Sequence, residues 1–124
     1  MVRRLFLFPL SLALAGAVWA ASSVIDDAKK KVKEGNHEQA LAALEAELKK
    51  NPKQAALKTA LAETHTAYGE FFMFNEQMPP FRKYPAALRQ FRKALEYSPD
   101  QKKAKEHVAT IEGIYKSMGR EVPK

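Results

Sequence analysis

From Val24 to Met118 the apolar residues recur every three or four positions, and each run stops at a glycine or a proline. That period places the apolar side chains on one stripe of a helix, whereas a half-buried strand needs strict alternation, which is absent here. The first run, Val24, Ala28 and Val32, closes at Gly35-Asn36, because glycine tolerates the left-handed conformation that ends a helix. The second begins near His37. It carries Ala40, Leu41, Leu44 and Leu48 inward, with Glu45, Lys49 and Lys50 outward, and stops at Asn51-Pro52, since proline cannot continue the hydrogen-bond ladder. A third, rich in alanine and leucine, starts near Gln54 and runs through Tyr68 to about Asn75, ahead of Pro79-Pro80. A fourth is expected from Pro85, with Leu88, Phe91, Ala94 and Leu95 inward, ending at Ser98-Pro99. The fifth is expected to be capped by Asp100, to bury Ala104, Val108, Ile111, Tyr115 and Met118, and to stop at Gly119. Gly113 either weakens that helix or marks a close backbone approach. The fold class is therefore all-α, with five helices on short turns that force antiparallel neighbours.

The N-terminus follows a different rule. Arg3 and Arg4 precede an almost unbroken apolar run from Leu5 to Trp19, and Val18-Trp19-Ala20 supplies small residues where a signal peptidase reads. Residues 1–20 are expected to be a signal peptide cleaved after Ala20, leaving 21–124 as the mature domain in the periplasm or outside the cell. The run is short for a membrane span and contains Pro9, which argues against a retained anchor. The arginine pair also resembles a twin-arginine signal, although the strongly apolar middle favours the general route. Cysteine is absent, so neither disulfides nor a lipid-modified cysteine contribute. Losing Arg3 and Arg4 would lower the net charge from +7 to +5, and such a surface favours anionic partners. Outside the cytoplasm these are acidic proteins, lipids or wall polymers rather than nucleic acid.

Two of the helices carry one pattern twice. Ala40, Leu44 and Pro52 have the same spacing as Ala87, Phe91 and Pro99. This resembles the second helix of a tetratricopeptide repeat, where a small residue, a large apolar one and a terminal proline follow in that order. Ala28, seven before Gly35, and the Leu61-Ala62 pair resemble positions of the first helix, and Ala94 falls on the inward stripe of the fourth helix. The resemblance implies a short right-handed solenoid of about two hairpins, with the fifth helix as a cap. The copies stand 47 residues apart against a period of 34, so about 13 residues are inserted, placed around 69–81. Two hairpins fall short of the three repeats usually needed, and the insert is expected to supply extra burial. Asp27, Lys31 and Glu47 depart from the pattern.

Tyr68, Phe71, Phe72, Phe74, Phe81 and Tyr84 crowd into and around the insert, beside Met73 and Met78. These rings can complete a small core, or form an apolar ledge for a partner in which Phe72 and Phe74 grip and Arg82 and Lys83 form the rim. The resemblance implies a peptide-holding concave face, which by position includes Lys29, Lys33, Glu63, Thr66, Lys103, Glu106 and Thr110. Glu63 and Thr110 stand where a carboxylate-clamping member has asparagines. No cofactor or metal is expected: His37, His65 and His107 are isolated, with His65 taken as a satisfied, partly buried side chain. Ser22, Ser23, Ser98 and Ser117 lack the strained turn of a nucleophile. The expected role is a non-catalytic adaptor for a protein or peptide, with no stable membrane insertion after cleavage and with self-association open. The alternative is a carrier sheltering an apolar small molecule or acyl chain beneath the aromatic insert.

Overall fold

The computed structural model describes residues 11–124, so the basic head and the start of the apolar run lie outside the described residues. Five helices follow in order: α1 Ser11–Lys33, α2 His37–Lys50, α3 Ala55–Met73, α4 Pro80–Tyr97 and α5 Lys102–Ser117. Among the described residues there is no strand. Each helix packs on the next, and α1 also lies against α3. The most extensive contact is between α3 and α4.

The turns are built as the glycines require. Gly35 and Gly119 are the positive-φ residues of the described chain, at 82° and 65°. Both close a helix in the same way, with the next residue's N–H donating back five positions: Asn36 to the Lys31 carbonyl (2.8 Å) and Arg120 to the Tyr115 carbonyl (3.0 Å).

Two apolar clusters meet along α3. The first joins Ala28, Ala40, Leu41, Leu44, Leu57 and Leu61, with Ala21 and Ala60. The second joins Ala62, Ala87, Leu88, Phe91, Ala94 and Ile111, with Met73, Ala104 and Tyr115. Tyr97 packs against both. The repeated positions occupy equivalent environments, since Ala40, Leu44, Ala87 and Phe91 are all fully buried. Pro52 and Pro99 lie exposed after their helices.

Several boundaries differ from expectation. α1 does not start at Val24 but is already helical from Ser11, passing through Ala20-Ala21 without a break. α4 starts at Pro80 rather than Pro85, with Pro79 as its N-cap. Pro80 fits the first helical position, where an N–H has no partner in any case. Pro85 then sits inside the helix and leaves the Phe81 carbonyl without its usual donor. The insert is accordingly divided among the last turns of α3, the connection 74–79 and an added first turn of α4. Gln101, not Asp100, caps α5, its side chain accepting from the Lys103 N–H at 3.3 Å. Met118 follows the helix and is half exposed instead of packed inward, because the Gly119 turn directs the chain away. Asp27 and Lys31 pair with each other at 3.0 Å on the outer side of α1. Glu47 is buried and accepts from the Asn51 side chain at 3.2 Å, tying down the end of α2.

Extra burial comes from two places. Gly69 lets α3 approach α4 so closely that an added Cβ would lie 2.5 Å from the Phe91 ring. Residues beyond α5 also fold back: Val122 packs on the second cluster, and Arg92 Nη1 donates to the Pro123 carbonyl at 2.7 Å. Among the described residues no helix is long and apolar enough to cross a membrane.

Candidate functional site

The contact of α1 with α3 leaves a groove of about 310 Å³, lined by Lys29, Val32, Lys33, Ala60, Glu63, Thr64 and Ala67. On α3 the lining residues fall at 60, 63, 64 and 67, the spacing of one helix face. Alanine and threonine there leave room that larger side chains would fill. Thr64 turns its hydroxyl back to the Ala60 carbonyl (2.7 Å), so it offers no free donor. The lining thus combines small apolar side chains with two exposed lysines and one exposed glutamate. It can receive a small apolar side chain and pair with a carboxylate beside it.

Of the concave-face residues expected from the sequence, Lys29, Lys33 and Glu63 meet in this groove. Thr66 does not take part: it is 3% exposed, and its hydroxyl donates to the Ala62 carbonyl at 2.8 Å. Lys103 and Glu106 lie on α5, away from the groove lining. Lys103 Nζ stands 3.8 Å from Glu70 Oε1, and Glu106 faces Lys102 at 4.0 Å. Thr110 is exposed and donates to the Glu106 carbonyl.

Glu70 is the residue that sequence reasoning missed. Its carboxylate accepts from His107 Nε2 at 2.9 Å as well as facing Lys103, which joins α3 to α5. The His107 ring in turn stacks on Phe91 at 4.8 Å, with the Phe74 edge against it at 5.8 Å. Glu63 and Glu70 lie seven residues apart, so one face of α3 carries acid toward both flanking helices. That spacing was the available signal. Among the described residues no cluster of histidine and carboxylate side chains has the grouping a metal ion needs.

The aromatic residues of the insert separate. Phe72 is half-buried on the second cluster and packs against Tyr68 at 4.7 Å, so it is not free to grip a partner. Phe74 and Phe81 are 63% and 71% exposed. Arg82 is exposed beside them, while Lys83 is half-buried with Nζ 5.3 Å from the centre of the Tyr84 ring. A smaller hollow of about 240 Å³ lies at the start of α2, where His37 stacks on Tyr68 at 4.9 Å beside Phe71. Tyr68 donates its hydroxyl to Glu38 Oε1 at 3.0 Å. Burial of the phenol, then that carboxylate, raises its pKa. His37 is buried, which lowers its pKa, and a bond to the Gly35 backbone opposes the shift.

His65 is not the fully satisfied histidine expected. It is 3% exposed and stacks near Tyr97. Nδ1 donates to Gln90 Oε1 at 2.8 Å, but Nε2 is buried without any partner. Burial holds its pKa below the usual histidine value, the Gln90 bond opposes this, and Lys93 lowers it further against the weaker pull of Glu45 and Glu96.

Comparison with family models, with curated proteins and with solved structures finds no match to this chain. The functional reading therefore rests on the geometry above.

Proposed function

We propose that the chain is a non-catalytic adaptor built from tetratricopeptide-like hairpins, which holds an extended peptide segment of a protein partner in the α1–α3 groove. The observation that carries the reading is the lining of that groove: a small-residue stripe on α3 facing lysines on α1. A fitting segment has small apolar side chains flanked by acidic ones, and the net charge, +7 for the whole chain and +5 once Arg3 and Arg4 are lost, favours the same chemistry. The outward rings of Phe74 and Phe81 favour this adaptor over a carrier, which needs its aromatic side chains closed around a void.

The reading includes export to the cell envelope. Val18 and Trp19 are 56% and 78% exposed, whereas Ala21 is 2% exposed in the first cluster, so the packed part of α1 begins beside the expected cleavage point. N-terminal sequencing of the exported protein, starting at Ala21, tests that part.

The binding part is tested with a peptide selected on the protein from a displayed random library. The charge reversals Lys29→Glu and Lys33→Glu together should weaken it at least about tenfold. Substitution of Ala67 by tryptophan should block it by filling the groove. Equal affinity in both variants contradicts the proposal.

A further inference from the structure

The tail beyond α5 returns to α4 and leaves a cavity of about 290 Å³ against it. The α4 wall holds Arg89, Arg92, Lys93 and Glu96 above Pro85 and Leu88, and the tail adds Pro123 and Lys124. The α4 positions advance by steps of three and one, so they share a single helix face. Arg89 stands three residues before Arg92 and four before Lys93, and like charges at those spacings repel. Glu96 is spaced to relieve them, yet it pairs with neither Arg92 nor Lys93. The ion pairs among the described residues lie on α1, α2, α3 and α5 with the turn before it, and α4 takes part in none. Arg92 is half-buried and gives Nη1 to the Pro123 carbonyl at 2.7 Å, which fixes the guanidinium and leaves its other N–H groups open to a ligand.

We propose that this cavity binds a small organic phosphate monoester, with the phosphoryl oxygens on Arg89, Arg92 and Lys93 and the organic part against Pro85, Leu88 and Pro123. The charge count favours this occupant. Three α4 cations against Glu96 leave a surplus of two, and Lys124 adds none because it also carries the terminal carboxylate. Glu121 is exposed in the tail but outside the lining, and Glu45 lines the separate cleft beside Tyr97. A monoester carries about −1.5 to −2 near neutral pH, whereas a carboxylate supplies only one charge. An arginine fork already held in place matches phosphate oxygens two at a time. The apolar walls give an ester substituent a place that bare phosphate would leave empty. The site shares no residue with the α1–α3 groove, so its failure would leave the peptide reading untouched.

Amide chemical shifts of the full chain, titrated with phenyl phosphate at about pH 7.5 and constant ionic strength, test the proposal. Saturating shifts centred on Arg89, Arg92 and Lys93 are expected, with inorganic phosphate and benzoate each at least about tenfold weaker. Arg89→Gln with Lys93→Gln, two exposed positions, should weaken phenyl phosphate at least about tenfold without lowering the melting temperature. Lys53→Gln with Lys58→Gln removes the same charge from exposed positions elsewhere and should leave the affinity unchanged. Glycerol 3-phosphate and vesicles containing phosphatidic acid then separate a free ester from a lipid one, and binding of either supports the shared chemistry. Shifts spread evenly over the lysines of α1 and α5, equal binding of benzoate, or equal losses in the two double variants would overturn the proposal.

Discussion

Leu44 and Phe91 hold matching places, each eight residues before a helix-ending proline, and both are fully buried. The ways their surroundings admit them differ. Leu44 packs among alanines and leucines, in a cluster where Ala28, Ala40 and Ala60 keep the helices close. Phe91 brings a larger ring to the equivalent position, and α3 accommodates it by having glycine at position 69. The His107 ring then covers the phenylalanine, held in place by Glu70. One spacing pattern therefore serves two side-chain volumes, and the difference is absorbed by the facing helix. The teaching is that the repeat specifies where a large residue goes, while its neighbours determine how large it can be.

The sharpest way to break this comparison is to remove the two residues. Phe91→Ala should cost about 3–5 kcal/mol and Leu44→Ala about 2–5 kcal/mol in denaturant unfolding. The phenylalanine site should suffer more, because a larger void opens between α3, α4 and α5. Equal small losses at both sites would contradict their place at the centre of the two clusters.

Gly69→Ala comes next. The new methyl meets a ring that is packed on every side, so a loss of about 1–3 kcal/mol is expected. Combining it with Phe91→Leu should lose less than the sum of the two single changes. Strict additivity would show that the ring is not what excludes the methyl.

A smaller effect is expected from pH. The folded-state pKa of His65 lies below its ordinary value of 6.5, so the unfolded chain takes up this proton more readily. The stability is fully present above that value and declines as pH falls from it toward the folded pKa. His37 acts in the same direction. Melting temperature should therefore drop between about pH 7 and pH 5, and His65→Gln should flatten part of the drop. An identical slope in the variant would contradict the assignment.

The smallest change is favourable. Gly113 has open space around the position of a Cβ, so Gly113→Ala should stabilise α5 by up to about 1 kcal/mol. The opposite signs expected at Gly69 and Gly113 test whether close approach, rather than helix propensity, decides what each glycine does.

Much of this architecture was legible from spacing. The ends of α2 and α3, the Gly35 and Gly119 stops and the burial of Ala40, Leu44, Ala87 and Phe91 all follow from local rules that need no partner helix. What escaped depended on contacts distant in sequence. The Glu70–His107 pair joins residues 37 apart, and although Glu70 shares a helix face with Glu63, nothing near either residue announces their pairing. Thr66 could be assigned to a helix face but not to its buried side, because a threonine that bonds its own backbone fits in a core as well as on a surface. Pro85 misled for a related reason: it suits a first turn, but Pro79-Pro80 already supplied one. The groove was half visible. Its lysines and glutamate stood out, whereas Ala60, Thr64 and Ala67, which make the space, look like ordinary helix residues.

The claim on which the functional account rests is that α1 and α3 together recognise a peptide. Amide chemical-shift mapping with the selected peptide measures this directly. Perturbations centred on Lys29, Val32, Ala60, Glu63 and Ala67 are the predicted result. Perturbations centred instead on Glu45, Leu48 and Tyr97, in the cleft between α2 and α4, would contradict it.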